Sequence, residues 1–265
     1  MKAINSMTHL LPTITRILAR RPAPNFADGI TTANLGKPDY DNAIQQYDSY
    51  IQALRDCNLE LTLLPTDDRF PDGHFVEDPV VIFHDVAFMC RSGAEARQGE
   101  GESLKPYLSD CRIIDPEPDA RIDGGDVLIC ADRVLVGLSE RTNQAGIDEL
   151  RRAFQTVKSD IRVDAVAFSG VLHLKSGLTE LAPNVLIHDP ALITDYNLDW
   201  ATVITLPADE GYAADVMPVN DTLFIAKGYP AAYQASKAYY KTIVELDMSE
   251  FQKMDGGLTC MSLRY

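Results

Sequence analysis

The chain has 265 residues, of which 46% are hydrophobic and 24% charged, so it can bury a core as one large domain or two smaller ones. The formal net charge of −15 argues against a nucleic-acid partner, because such binding depends on concentrated Lys and Arg. An acidic protein attracts cationic small molecules, although solubility alone also explains such a charge.

The cysteines carry neither a disulfide framework nor a zinc motif. There are five, scattered and without a C-x-x-C pair: Cys57, Cys90, Cys111, Cys130 and Cys260. His9 and Pro12 interrupt the apolar stretch that ends at Leu18, so we expect no secretory signal. No apolar run reaches the roughly 20 residues of a membrane span. These features predict a protein of the reducing cytoplasm.

In chain order, alternating residues 14–20 predict a first strand. The following stretch to Pro38 is rich in proline and glycine, which predicts a long loop of the kind that often closes over a binding site. A helical apolar stripe covers residues 40–57, and residues 60–64 predict a short strand before Pro65.

A strand-turn-strand pattern then recurs along the chain. We predict hairpins from residues 75–83 and 86–90, 125–130 and 134–137, 178–181 and 185–187, and 215–219 and 222–228. We predict intervening helices over residues 95–108, 146–157, 189–200 and 231–244. A unit repeating every ~40–50 residues favours a radial, propeller-like α/β fold over two lobes. Residues 260–263 would pair with 14–18 to close the fifth unit, giving a single domain over residues 1–265.

In a radial array the corresponding ends of the inner strands converge, so polar residues at those ends share one pocket. They are Asp72, Glu77, Asp78, Asp123, Asp126, His173 and Cys260. A cysteine and a histidine among carboxylates suit attack by a thiol on a cation. Taken alone, Cys260 also fits the commoner description of a small buried apolar residue, and His173 that of a satisfied core histidine.

Paired glycines raise the question of a nucleotide loop. Gly124-Gly125 and Gly256-Gly257 do not form G-x-G-x-x-G before a helix, so we reject a dinucleotide site. Glycine pairs also let a backbone approach a ligand closely, which fits a strand start such as that near Cys260.

An ordered set of motifs resembles the dimethylarginine dimethylaminohydrolases, whose superfamily modifies guanidines on a five-bladed α/β propeller called the pentein fold. The motifs are Leu35-Gly36-Lys37-Pro38-Asp39-Tyr40, Phe75-Val76-Glu77-Asp78-Pro79, Asp123-Gly124-Gly125-Asp126-Val127, Arg141-Thr142-Asn143, Leu172-His173-Leu174-Lys175-Ser176-Gly177 and Asp255-Gly256-Gly257-Leu258-Thr259-Cys260-Met261-Ser262-Leu263-Arg264.

The resemblance implies Cys260 as the nucleophile and His173 as general acid and base. Asp123 would orient His173, in a position where some bacterial relatives have the longer glutamate. The implied reaction converts asymmetric dimethylarginine or monomethylarginine to citrulline and dimethylamine or methylamine, through a covalent thiouronium on the cysteine. It would need no metal and no organic cofactor.

The resemblance also implies that Asp72 and Asp78 hold the guanidinium, with Glu77 beside them. Two adjacent acids could form a solvated turn. However, the apolar residues on both sides of Glu77 and Asp78 predict burial, where unpaired charge is costly, so these acids need a cation.

Arg97 and Arg141 would bind the α-carboxylate of the amino acid, and the loop around Phe26 would be the lid. Arg141 could instead pair with Glu140 or cap the next helix, and Arg97 could belong to a solvated face. Other enzymes of the superfamily, namely deiminases, dihydrolases and amidinotransferases, remain alternatives, as does a non-enzymatic binding propeller. The sequence leaves the oligomeric state open, a homodimer included.

Overall fold

A computed structural model describes residues 11–194, 196 and 199–265, and its strands are short. The strands are β1 (Arg16–Arg20), β2 (Glu60–Leu64), β3 (Val80–Phe83), β4 (Val86–Met89), β5 (Arg112–Ile114), β6 (Val127–Ile129), β7 (Arg133–Leu138), β8 (Arg162–Ser169), β9 (Leu178–Ala182), β10 (Val185–His188), β11 (Ile193–Thr194), β12 (Thr202–Thr205), β13 (Met217–Val219), β14 (Thr222–Ala226), β15 (Thr242–Leu246) and β16 (Ser262–Arg264). The α-helices are α1 (Tyr40–Arg55), α2 (Gln144–Gln155), α3 (Leu174–Gly177), α4 (Pro230–Ser236) and α5 (Ser249–Gln252).

The strands of the described chain form five small sheets of one design. The strand orders are β16-β1-β2, β3-β4-β5, β6-β7-β8-β11, β9-β10-β12 and β13-β14-β15. In each sheet an antiparallel pair is extended by a strand that runs parallel to one of its members. The predicted hairpins are therefore confirmed, and the sheets and helices together make an α/β fold.

The predicted pairing of the C-terminal strand with the first strand is also confirmed. β16 lies antiparallel to β1, with Leu18 opposite Leu263. The buried Tyr50 of α1 supports this junction, because its hydroxyl lies 2.6 Å from the Ser262 hydroxyl and donates to the carbonyl of Leu258 at 3.0 Å. The junction fixes the segment just before β16.

The helix α1 packs one apolar face against this junction. Its N-cap is Asp39, whose side chain accepts a hydrogen bond from the amide of Asn42 at 2.9 Å. The buried face of α1 is made of Ala43, Tyr47, Tyr50, Ile51 and Leu54. This face belongs to an apolar cluster that also contains the buried parts of the segment from α5 to β16.

Three predicted elements differ in the structure. Residues 95–108 form three short 3-10 helices, Glu95–Arg97, Glu100–Ser103 and Lys105–Tyr107, instead of one α-helix, because Gly99 takes a left-handed φ of 97°. The predicted helix 231–244 ends at Ser236, and β15 takes its last residues. The predicted helix 189–200 is wrong at β11, and its residues 195, 197 and 198 lie outside the described chain. Across the residues that are described, no helix is long and apolar enough to cross a bilayer.

Candidate active site

A small cavity of about 20 Å³ gathers polar side chains from distant parts of the sequence. Its lining residues are Ile30, Asp72, Phe75, Asp78, Arg97, Arg141, Leu172, His173, Met254, Asp255, Gly256 and Cys260. The predicted convergence of a cysteine, a histidine and carboxylates is therefore present, with Cys260 and His173 on the same cavity.

Cys260 lies in a 3-10 turn, Thr259–Met261, directly before β16. Its sulfur accepts a hydrogen bond from the Gly257 amide at 3.5 Å. The turn requires glycine at 257, because a Cβ there would lie 1.8 Å from Asp215 Oδ2. The glycines therefore bring the backbone against a buried carboxylate and hold the sulfur at the cavity wall.

The environment of Cys260 favours the protonated thiol. Burial raises the pKa of Cys260 well above its usual value, and the negative charges of Asp78, Asp215 and Glu77 raise it further. The amide of Gly257 acts in the opposite direction. Because the charges that raise the pKa of this thiol are carboxylates, a cation bound beside them would lower it.

His173 immediately precedes α3 and is buried against Asp123, with Nε2 and Oδ2 3.3 Å apart. Burial lowers the pKa of His173, but the hydrogen bond with Asp123 and the charges of Asp78 and Asp126 outweigh it and raise the pKa to about 9. Asp126 also fixes the start of α3, since its Oδ1 accepts from the Leu174 amide at 3.0 Å. His173 is therefore a cation at neutral pH.

Asp123 is fully buried and reaches His173 despite being one methylene shorter than glutamate. Burial raises its pKa, while the hydrogen bond and charge of His173 more than compensate and lower the pKa below the usual value. The same Oδ2 also lies 3.4 Å from Nη1 of Arg141. Asp123 thus joins the histidine to an arginine on the cavity wall.

Asp72 and Asp78 both present carboxylates to the cavity. Asp72 Oδ2 accepts from the Ile30 amide at 3.0 Å, and burial raises the pKa of Asp72. Asp78 Oδ1 accepts from the Gly125 amide at 3.0 Å, and its Oδ2 from Arg97 Nη1 at 2.6 Å. The two acids are thus held in place by hydrogen bonds from backbone amides and from Arg97.

Glu77 does not line this cavity, and its contact with the substrate stays a prediction. Its carboxylate forms ion pairs with Lys175 Nζ at 2.9 Å and with the guanidinium of Arg264. Glu77 lines a second cavity, of about 530 Å³, together with both of these cations. The predicted need of a buried acid for a cation is met here by the protein's own side chains.

Arg97 lines the cavity, but its guanidinium is occupied by protein carboxylates. Besides Asp78, it binds Glu100 through Nε at 3.0 Å and Nη2 at 2.8 Å. Only 6% of Arg97 is exposed, so the alternative of a solvated face is wrong. Its contact with an α-carboxylate stays a prediction, and its Nε and Nη2 atoms face Glu100. Arg141 also lines the cavity. Its contact with a protein carboxylate is the longer one to Asp123, at 3.4 Å, and 17% of its side chain is exposed.

Phe26 itself does not line the cavity, and the role of its loop as the lid stays a prediction. It is fully buried in the cluster under α1, with its ring 5.9 Å from that of Tyr40 and 5.7 Å from that of His74. The same loop instead places Ile30 on the cavity. An apolar side chain in a loop can belong to the core when the loop folds back onto a helix.

Several lining residues were missed from the sequence, namely Ile30, Leu172, Met254 and Asp255. Asp255 is noteworthy because its side chain accepts hydrogen bonds from the Thr32 amide and, at 2.9 Å, the Thr32 hydroxyl, which ties the loop to the segment before Cys260. The only sequence signal that could have identified Asp255 was its position in the glycine-rich motif before Cys260. Within the described residues, no group of three or more His, Cys, Asp or Glu side chains could hold a metal ion.

Comparisons with known proteins identify the family of this chain. The arginine deiminase family model matches residues 106–223. A dimethylarginine dimethylaminohydrolase of Pseudomonas aeruginosa is 36% identical over 94% of this chain and 98% of its own length. The corresponding protein of Streptomyces coelicolor is 35% identical over 94% of this chain and 96% of its own length.

Solved structures give the same result. The fold matches the Pseudomonas enzyme complexed with citrulline with a TM-score of 0.88 and 35% identity, over 96% of this chain and 100% of the other. A dimethylarginine dimethylaminohydrolase adduct with S-methyl-L-thiocitrulline gives a TM-score of 0.89 at 36% identity, with the same coverage. A cyanobacterial arginine dihydrolase domain, 18% identical with a TM-score of 0.83 over 96% of this chain and 97% of its own, shares the fold. The chain belongs to the dimethylarginine dimethylaminohydrolase family.

Proposed function

We propose that this protein hydrolyses Nω-methylated arginine, releasing citrulline with dimethylamine from asymmetric dimethylarginine or methylamine from monomethylarginine. The observation that carries the proposal is the cavity in which Cys260, His173, Asp72 and Asp78 converge. Relatives of similar length carry this activity in their names, and one of them was solved with citrulline.

Substrate binding would use the carboxylates first. A guanidinium carbon is a weak electrophile because three nitrogens share its charge, so the site must fix the ion and supply a strong nucleophile. Asp72 and Asp78 would accept hydrogen bonds from the guanidinium N–H groups. The bound cation would offset the charges that raise the pKa of Cys260, and with the His173 cation it favours the thiolate.

The thiolate then attacks the central carbon and forms a C–S bond. The C–N bond to the methylated nitrogen breaks while His173 gives its proton to the departing amine, leaving an S-alkylthiouronium on Cys260. Neutral His173 takes a proton from water, and the hydroxide adds to the same carbon. Expulsion of the thiolate and loss of the hydroxyl proton give citrulline. Asp123 would stabilise the imidazolium and fix its orientation, as its contact at 3.3 Å supports.

For the far end of the substrate, we propose Arg141 as the partner of the α-carboxylate, since a guanidinium suits that geometry and Arg97 is engaged elsewhere. The backbone amide and side chain of Ile30 would cover the substrate. We also propose that the five sheets are the blades of a single α/β propeller domain around the site, which their repeated strand pattern supports. Cytoplasmic location and a homodimer remain predictions.

A second candidate activity is deimination of unmethylated arginine, because the matching family model bears the name arginine deiminase. The two reactions share the intermediate and differ in the amine that leaves. Assaying dimethylamine and ammonia with asymmetric dimethylarginine and arginine as separate substrates distinguishes them. Higher kcat/KM for arginine would favour the second candidate.

The central test uses Cys260→Ser and His173→Ala, with citrulline formation as the assay. Both variants should lose at least about 100-fold in kcat, because each removes a group that handles the reacting atoms. Matched controls are Cys57→Ser and His84→Asn, which lie outside the cavity; asparagine tolerates the φ of 55° at position 84. Turnover near the wild-type rate in either test variant would refute the assigned roles.

A further inference from the structure

Asp126 is a completely buried carboxylate to which the proposed reaction gives no role. It lies directly before β6, in the short segment that begins with Asp123. Its Oδ1 accepts a hydrogen bond from the Leu174 amide at 3.0 Å, and its Oδ2 accepts one from the Ser139 hydroxyl at 2.6 Å. Both oxygens therefore act as acceptors, which is the arrangement of an ionised carboxylate.

The contact with Ser139 connects Asp126 to the turn that carries Arg141. The Ser139 hydroxyl accepts hydrogen bonds from the backbone amides of Arg141 at 3.0 Å and of Thr142 at 3.1 Å. Because this hydroxyl accepts from two amides, its single proton is donated to Asp126. The hydroxyl of Thr142 accepts in turn from the Asp123 amide at 3.1 Å. One carboxylate thus leads to the turn of Arg141 and to the backbone of Asp123.

Asp126 also acts on His173. The amide that it holds belongs to Leu174, the residue directly after His173 and the first of α3. Burial lowers the pKa of His173, whereas the hydrogen bond with Asp123 and the charges of Asp78 and Asp126 raise it to about 9. Burial raises the pKa of Asp126, and the charge of His173 opposes that rise. The other titratable or charged groups that line the cavity beside His173 are Asp72, Arg97, Arg141, Asp255 and Cys260.

We propose that Asp126 is a positioning residue that joins three parts of the site: His173, the carboxylate of Asp123 that orients it, and the turn of Arg141. This inference deepens the proposed function and rests on it, because there His173 transfers protons and Arg141 binds the α-carboxylate. Asp126 reaches the substrate only through these residues. Its single charge aligns the end of the site that transfers protons with the end that recognises the amino acid.

The first test is Asp126→Asn, which keeps the size of the side chain and removes its charge. An amide has one acceptor atom and one donor group, so it cannot accept from both Leu174 and Ser139. We expect the pKa of His173, measured by NMR titration of the unliganded protein, to fall by about 1 or more from its wild-type value. The high-pH limb of kcat/KM for asymmetric dimethylarginine should move to lower pH with it. A general loss of folded protein would lower the rate at every pH without moving that limb.

The second test separates the turn from the histidine. Ser139→Ala, at a half-buried position, keeps the charge of Asp126 and removes the hydroxyl that links it to the turn of Arg141. We expect KM for asymmetric dimethylarginine to rise roughly fivefold or more while kcat changes by less than about twofold, the signature of weakened binding. The pKa of His173 should stay near its wild-type value. The matched control is Glu140→Gln in the same turn, whose exposed side chain should leave kcat and KM unchanged.

The double variant tests whether the two contacts belong to one network. Adding Ser139→Ala to Asp126→Asn should raise KM by less than about twofold more, because the first substitution has already broken the link to the turn. Fully additive effects of Asp126→Asn and Ser139→Ala on KM would show that the turn is held independently of Asp126, which overturns the inference.

The outcomes distinguish this inference from the proposed function. An unchanged pKa of His173 in Asp126→Asn overturns the inference, as does an unchanged KM in Ser139→Ala when the wild type forms citrulline. A wild type that turns over no methylated arginine refutes the proposed function instead, and the NMR titration, which needs no substrate, then still decides whether Asp126 acts on His173.

Discussion

Replacing Asp123 with asparagine should change the acid–base chemistry of His173 while preserving the shape of the site. The pKa of His173 is about 9, against an ordinary value of 6.5. At 1.36 kcal/mol for each pKa unit, this difference corresponds to about 3 kcal/mol in favour of the cation. Burial lowers this pKa, and the hydrogen bond with Asp123 is the largest of the contributions that raise it. In the variant the pKa of His173 should therefore fall well below 9.

The assay is the pH dependence of kcat/KM between pH 6 and 10, which reports the pKa values of the free enzyme. The wild type should lose its general acid as pH rises through about 9, whereas the variant should lose it at lower pH. At pH 8 the variant should hydrolyse the substrate roughly 100-fold more slowly or worse, because a positioned acid or base usually accelerates a reaction by that factor. Asp132→Asn, on an exposed turn, is the matched control.

Stability gives an independent measurement of the same coupling. A group with a raised pKa in the folded state stabilises the fold below its unfolded pKa of 6.5, and this contribution disappears as pH rises through about 9. Urea unfolding of the wild type should show this loss, of at most about 3 kcal/mol, and the variant should show much less of it. A variant whose kcat/KM still falls near pH 9, as in the wild type, would refute the role given to Asp123.

Three other changes test separate features. Phe26→Ala should lower the free energy of unfolding by about 3–5 kcal/mol because it leaves a hole in the core, while Leu35→Ala on the exposed surface should change it little, as measured by urea unfolding. Gly257→Ala should abolish citrulline formation, because the new Cβ collides with Asp215; wild-type activity would contradict the close approach. Asp215→Asn removes a charge that raises the pKa of Cys260, so iodoacetamide should label that thiol faster at pH 8, and an unchanged rate would exclude this coupling.

The strands could be predicted from the sequence because local patterns determine them. Residues 60–64 match β2, and the antiparallel hairpins arise from apolar runs separated by short turns. The segment 95–108 could not be predicted, because its charges look like those of a solvated helix. The burial of Arg97 depends on Asp78, which lies earlier in the chain and contacts it only after folding.

In the candidate site, too, local motifs allowed prediction, whereas contacts between distant residues did not. Motifs placed Cys260 and His173 on one cavity, since the strand ends that carry them converge. The partners of Glu77 could not be read from spacing, because Lys175 and Arg264 lie far along the chain. The burial of Phe26 could not be predicted for a related reason. The burial of a loop side chain depends on the helix against which the loop packs, here around Tyr40.

The pairing of β16 with β1 has a consequence for how activity is acquired. The turn that holds Cys260 leads straight into β16, so the proposed nucleophile is in place only when that strand has docked on β1. Contacts between such distant parts of a chain form late, because a large loop must close first. Recovery of citrulline formation during refolding should therefore be slower than the return of secondary structure. Enzymatic turnover then reports when β16 docks on β1.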